Sequence, residues 1–265
     1  MEFNDPADMR RICAERLGEP AGRQLAAMAR RGFRLDRPTD ETPATGRCRL
    51  GGPALLEPGT PWPELDGYPL SLHAVLDTDA LAPWLGDELP TRPGLLNFFY
   101  LDPDVPYEEY RKLDADAPEA CRVIPADPAR AVETSAPAPA RSYPVAPVHA
   151  AGTAMLPDCW DLEDGDIPYD RDEHWGLPSL ILTQLDGLDG NTAGHHCAFG
   201  WPDTSYAIYV TERDADGPEI HLLQLAEDGE LGWGWGDAGT LYFMIPASAF
   251  AAGDFSRAEA RIRCC

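Results

Sequence analysis

Two stretches of this 265-residue chain carry side chains that could do chemistry. His195, His196 and Cys197 are consecutive. Histidine supplies a base or a metal ligand near neutral pH, and a thiol supplies a nucleophile or a third ligand. The spacing argues against both uses. Adjacent residues point different ways, and adjacent ligands strain a tetrahedral site. The second stretch, Gly232-Trp233-Gly234-Trp235-Gly236-Asp237, sets two indoles and one carboxylate among glycines. Glycine lets the backbone take positive φ or pass close to another group. Tryptophan is costly to leave in water and wants one polar contact for its N–H. Either the indoles pack back on a sheet, with Asp237 accepting main-chain N–H bonds in a tight turn, or they line a concave site. With Trp62 and Trp201 they form an aromatic set suited to a peptide segment or a cation.

Recognisable catalytic signatures are missing from the sequence. There is no P-loop, Rossmann fingerprint, H-E-x-x-H or G-x-S-x-G. A hydrolase needs a nucleophile, a base and an orienting group converging in space. His73, His174 and His221 stand apart, with no spacing that forces convergence. The acidic run Asp161–Asp172 fails the EF-hand pattern, because its glycine comes one residue early and no terminal Glu is correctly placed. Neither a metal nor a cofactor is expected.

The elements that position the tryptophan loop are legible. Ile220, Leu222, Leu223 and Leu225 form one apolar run, broken by Glu227-Asp228-Gly229. Leu241 to Ile245 form another, opened by Gly239 and closed by Pro246. Such runs, bounded by turn residues, predict buried strands. A weaker copy lies earlier. Leu50-Gly51-Gly52-Pro53 resembles Phe199-Gly200-Trp201-Pro202, and Ala74-Val75-Leu76 falls on Leu223-Gln224-Leu225, both 149 residues apart. Gly94 to Phe99 falls on Gly239 to Met244 at a separation of 145. Three blocks in the same order predict a duplicated unit, arranged as two half-domains about a pseudo-twofold axis.

Along the chain, residues 6–32 read as helix, opened by Asp5-Pro6 and broken at Gly18-Glu19-Pro20. Arg10, Arg11, Arg16, Arg23, Arg30 and Arg31 concentrate positive charge there, either to clamp onto the acidic body or as a solvated face. Residues 36–49 read as a loop, and 51–63, rich in Gly and Pro, as an irregular segment carrying Trp62. Strands are predicted at 69–76, 94–101, 123–125, 206–211 and 258–262. Short helices are predicted at 80–86, with Thr78 or Asp79 as cap, at 104–113 and at 247–252. Residues 136–140 look like a linker, and 214–217 like a hairpin turn. The expected organisation is 1–46, an N-terminal helical segment and loop, then β-rich halves at 47–145 and 146–265.

Composition narrows the function. The net charge is −24, and Lys112 is the one lysine. Nucleic acid and anionic membranes are unfavourable partners for such a chain, whereas a basic protein is favourable. No secretory leader opens the sequence, and no apolar run approaches the roughly 20 residues that span a bilayer. A soluble, cytoplasmic protein with reduced thiols is expected. The seven cysteines form no C-x-x-C pair.

GGPALLEPGTPWP at 51–63, the strand at 69–77 and GLLNFFYLD at 94–102 resemble the first half of the bacterial YwqG-like family, a domain of unknown function. HLLQLAEDG, WGDAGTLYFMI, DFS at 254–256 and the closing Cys-Cys resemble its second half. The likeness covers roughly 47–265. It implies a duplicated α+β fold, rich in antiparallel strands, and no activity. It marks His196, ahead of the second Gly-x-Pro block, and Gln224, in the second strand's Gln-Leu pair. Val75 and Ala226 depart from the family pattern, which usually has glutamine and aspartate there. The candidate binding residues are therefore Trp62, Trp233, Trp235, Asp237, His196 and Gln224. The expected function is a non-catalytic protein-binding module, immunity-like, for a basic partner. The rival is a small-molecule enzyme, a hydrolase, with a pocket between the halves that uses Asp237 and His196.

Overall fold

The structure, a computed structural model, describes residues 6–102, 105–114, 117–157, 195–202 and 218–264. The chain begins with α1 (Pro6–Leu17), α2 (Ala21–Ala27) and β1 (Arg30–Asp36). Next come β2 (Arg49–Leu50), β3 (Ala54–Leu56), β4 (Glu64–Leu65), β5 (Tyr68–Pro69) and β6 (Ser71–Asp77). Then follow α3 (Thr78–Leu85), β7 (Leu95–Tyr100), α4 (Tyr107–Tyr110), β8 (Cys121–Ala126) and β9 (Val132–Thr134). β10 (Ala146–Pro147) and β11 (His149–Met155) precede β12 (Cys197–Phe199) and β13 (Glu219–Ala226). The chain closes with β14 (Thr240–Pro246), α5 (Ala247–Ala252) and β15 (Glu259–Arg263).

The fold is α+β, with antiparallel pairing throughout the two main sheets. One has the order β10-β2-β6-β7-β8 and the other β11-β1-β12-β13-β14-β15. The ribbons β3-β9 and β4-β5 flank them. The main core lies between the sheets. On β7, Leu96, Phe98 and Tyr100 join that core, while Leu95 and Phe99 join a second one with Leu55, Leu65 and Leu70. β7 is thus apolar on both faces, which explains its unbroken run of buried side chains. Phe98 meets Phe243 of β14 edge to face at 5.2 Å, tying the sheets together.

Three local readings need correction. The helical stretch ends at Ala27, and Arg30–Asp36 is a strand between β11 and β12. Alternate residues Phe33 and Leu35 are buried, a period-two signal that the arginines on either side obscure. Gly32 fits because a side chain there would crowd the Met155 sulfur and the Phe199 carbonyl. The cap of α3 is Asp77, whose Oδ1 accepts from the Ala80 N–H at 3.2 Å, rather than Thr78 or Asp79. The helix expected at 104–113 spans only Tyr107–Tyr110. The strand expected at 206–211, the turn at 214–217, the acidic run from Asp161 and His174 lie outside the described residues.

Both central hairpins carry an irregularity. The β6–β7 register shifts between Leu72 and Ala74, and the β13–β14 register between His221 and Leu223. A bulge sends two successive side chains to one face. Leu72 and Val75 lie in the second core, whereas His73 and Ala74 both face the main one. The bulge therefore carries His73 into the space between the sheets.

Candidate functional site

The loop from β13 to β14 is folded by its acidic residues. Asp228 and Trp233 exchange main-chain hydrogen bonds, at 2.8 and 3.2 Å. The Asp228 Oδ1 accepts the N–H groups of Glu230 and Leu231, at 2.8 and 3.1 Å. This small turn aims Trp233 inward. The Glu227 carboxylate accepts the Trp235 main-chain N–H, and the Trp235 indole donates to the Ala226 carbonyl, each at 3.2 Å. Gly232 and Gly236 have φ of +72 and +98, and Gly239 passes so close to the Trp235 carbonyl that no side chain fits. The loop consequently alternates. Trp233 and Trp235 are buried, while Glu227, Glu230, Gly232, Gly234, Gly236 and Asp237 are exposed.

The two indoles enclose His73. Its ring lies 5.1 Å from Tyr143, 5.4 Å from Trp233 and 5.3 Å from Trp235, centre to centre, with Tyr100 at 6.4 Å. Among the described residues, neither His73 nitrogen nor the Trp233 Nε1 has a partner of normal hydrogen-bond geometry. The imidazole meets both indoles edge to face, at interplanar angles of 64°. Burial pushes the His73 pKa down to about 3, against a weaker upward pull from the Tyr100 main chain. The imidazole is therefore neutral at physiological pH. At the edge of the cluster, the Tyr143 hydroxyl donates to Asp102 at 2.6 Å, and the Arg141 guanidinium lies 5.1 Å from the Tyr143 ring centre.

His196 forms the opposite edge, 5.7 Å from Trp233. Its Nδ1 accepts the Ala226 N–H at 3.2 Å, which places the proton on Nε2, facing Asp228 Oδ2 at 3.5 Å. Burial holds its pKa below the ordinary value, partly offset by the Asp228 hydrogen bond and charge. Burial pushes the Asp228 carboxyl up, but the Leu231 and Glu230 N–H groups and His196 outweigh it and hold the pKa low. Arg37 reaches Asp228 and Glu230, at 3.5 and 2.8 Å.

Of the six residues singled out from sequence, Trp233, Trp235 and His196 come together. Gln224 is a neighbour that fixes their strand, donating to the His195 carbonyl at 3.2 Å. Trp62 lies apart in the second core, edge-on to Phe99 at 5.1 Å and donating to the Leu70 carbonyl. Asp237 is exposed on the rim, where the adjoining Gly236 packs on Cys264. The turn-bracing role expected of Asp237 belongs to Glu227 and Asp228. Sequence reasoning missed Tyr143, which falls beside the supposed linker, and the importance of His73. The one cue for His73 is that a polar residue stands where the second block has Leu222. Among the described residues, no group of three or more His, Cys, Asp or Glu could hold a metal. Cys48 and Cys121 are buried thiols, each pushed up to about 12 by desolvation, so neither supplies a thiolate near neutral pH.

The buried histidines give the protein an acid-sensitive stability. An unfolded histidine takes up its proton near 6.5, whereas His73 and His221 do so only near about 3 and about 4, both because of burial. Between those values the unfolded chain binds more protons, so stability falls as pH drops. We expect the urea midpoint to fall between about pH 7.5 and about pH 4.5, and to fall less in His73→Phe, which keeps an aromatic ring without a titrating group. Equal falls in both proteins would show that His73 does not contribute.

A comparison with curated proteins gives no match. No helix among the described residues is long and apolar enough to cross a membrane. A family match covers residues 48–264, from β2 through β15 and including both sheets' central hairpins and the aromatic cluster. The chain belongs to the family described as Domain of unknown function (DUF1963).

Proposed function

We propose that the protein is a non-catalytic binding module that takes a basic partner on the exposed rim of the loop between β13 and β14. The observation that carries this reading is the loop's alternation of buried indoles with exposed glycines and carboxylates. Exposed glycines let a partner's main chain approach closely. Glu227, Glu230 and Asp237 supply local charge, and the net charge of −24 favours encounter with a cation. An immunity-like role against a basic toxin is the form of this reading that the charge favours, and the unbridged buried thiols of Cys13, Cys48 and Cys121 suit the reducing cytoplasm.

The hydrolase alternative is weaker on the same geometry. Both His196 nitrogens already serve the loop, so the ring is not a free base. Cys197 lies next to it on a strand, which turns its thiol to the other face. The duplication inferred from sequence fits this picture. The orders β2-β6-β7-β8 and β12-β13-β14-β15 run in parallel, and the two register shifts fall at His73 and Leu222, 149 residues apart. Phe98 and Phe243, matched in that alignment, pack edge to face, a contact that a pseudo-twofold axis passing between them would produce. The likeness to YwqG-like proteins accords with this and adds no activity.

The test is capture of basic proteins from host lysate by the wild type and by a Glu230→Lys, Asp237→Lys double variant of unchanged melting temperature. The proposal expects a basic protein to be retained, with affinity reduced about tenfold or more in the variant. Equal retention by both, or no basic protein retained by either, would reject it.

A further inference from the structure

Basic side chains are outnumbered in this acidic chain, 21 against 45 acidic ones, yet four arginines converge where α1, α2 and the start of β1 meet α3. A cleft of roughly 450 Å³ there is lined, among the described residues, by Arg10, Arg23, Arg30 and Arg31, with Trp84 and the carboxylate of Glu88, and Arg23 also pairs with Glu19 at 2.9 Å. A second cavity of roughly 620 Å³ shares the Arg30, Arg31 and Glu88 wall. It continues over an apolar lining that includes Leu85, Phe199, Trp201, Ile220 and Phe250. The volumes fall in the range of small-molecule sites.

The wall is held in place before any ligand arrives. The Arg30 guanidinium lies 3.6 Å from the centre of the Trp201 ring, and that indole donates to the Met28 carbonyl at 2.8 Å. The Arg31 guanidinium donates to the Trp84 carbonyl at 3.3 Å, and its main-chain N–H meets both Glu88 oxygens at 3.0 and 2.8 Å. The Trp84 indole donates to the Gly32 carbonyl at 3.0 Å. Neither tryptophan can swing away without losing its bond. Burial pushes the Glu88 carboxyl up, opposed by its bonds and by the charges of Arg31 and Arg30.

We propose that these adjoining cavities, which share Arg30, Arg31 and Glu88 in their linings, bind a small amphipathic anion, its oxyanion head among the four arginines and its apolar body along Trp201, Phe199, Ile220 and Phe250. Guanidinium groups match carboxylate and phosphate oxygens in paired hydrogen bonds. The apolar lining stabilises a hydrocarbon or ring body by removing it from water. Size decides against a polyanion. A nucleic acid would extend beyond the cleft and meet a chain of charge −24, whereas a small anion has its charge compensated locally. The site is separate from the rim of the β13–β14 loop, and its ligand has the opposite charge.

Titration calorimetry on the full chain tests it, with decanoate and decyl phosphate below their micelle concentrations as probes. Binding with unit stoichiometry is expected for at least one, and their ratio tells whether carboxylate or phosphate is the preferred head. Decanol, acetate and decyltrimethylammonium should each bind about tenfold or more weakly. Shortening decanoate should cost about three- to fourfold per methylene. An Arg10→Gln, Arg23→Gln double variant, altered only at exposed positions, should weaken decanoate about tenfold or more while melting as the wild type does. Arg30→Gln should weaken it further. Equal binding of the cationic detergent, or decanoate binding unchanged in the double variant, would overturn the proposal. The Glu230→Lys, Asp237→Lys protein should bind decanoate normally, so failure of the loop's partner reading leaves this result standing.

Discussion

Trp235→Ala is expected to destabilise the protein by about 3–5 kcal/mol, the range for deleting a large buried aromatic side chain. Trp235 is only 1% exposed. Its ring touches His73, Tyr100 and Trp233, with centres 5.3, 6.4 and 5.9 Å away. The surrounding backbone has little freedom to collapse into the hole. The Trp235 main-chain N–H is held by Glu227, and its carbonyl packs on Gly239. A rigid lining raises the cost of a cavity, because relaxation recovers few contacts. Trp235→Phe separates packing from the polar contact. It keeps most of the ring volume but leaves the Ala226 carbonyl without its indole donor, at a cost of about 1–3 kcal/mol. Urea unfolding of the three proteins checks the order. A loss below about 1 kcal/mol in Trp235→Ala would mean that the loop does not support the core. The alanine variant should also let water reach His73, raising its pKa and shrinking the acid-dependent loss of stability.

The second large effect is at Asn97, in the middle of β7. Its side chain acts as a short piece of strand. Oδ1 accepts the Leu55 N–H at 2.7 Å, while Nδ2 donates to the carbonyls of Leu55 and Ile124, at 2.8 and 3.1 Å. Both sides of the clamp are buried. Asn97→Leu keeps the size and the apolar character of its neighbours Leu95 and Phe99. It nevertheless strands the N–H and the C=O of Leu55 away from water. At about 1–3 kcal/mol for each of the two abandoned groups, the expected loss is about 2–6 kcal/mol. Hydrogen exchange provides a local readout, since the Leu55 amide should lose its protection ahead of the β6–β7 ladder. If Asn97→Leu proved as stable as the wild type, the β3 ribbon would have to find its hydrogen bonds elsewhere.

Much of the frame was legible because strand periodicity and turn chemistry are local. The apolar runs read at 69–76, 94–101, 220–225 and 241–245 fall on the strands Ser71–Asp77, Leu95–Tyr100, Glu219–Ala226 and Thr240–Pro246. The matched blocks marked the two hairpins on which the sheets are built. Strand β1 was hidden because the arginines around Phe33 and Leu35 resemble a polar helix face. Its burial comes from β11 and β12, strands more than a hundred residues distant in sequence.

The site divides along the same line. The alternation of tryptophan and glycine at 232–236 requires a tight loop with two apolar anchors, and the sequence alone determines that much. Which side those anchors take, and what they meet, depends on positions that sequence spacing does not relate. A register shift on β6 turns His73 inward to the indoles, Tyr143 closes the other side from beyond β9, and Asp228 orients His196 across the loop. The arginine cleft likewise joins α1, α2, β1 and α3 through pairings made at long range. Local sequence fixes backbone preference residue by residue, but which side chains share a buried space is set by sheet packing. That packing depends on the whole chain's burial, and here it decided the neighbours of every functional candidate.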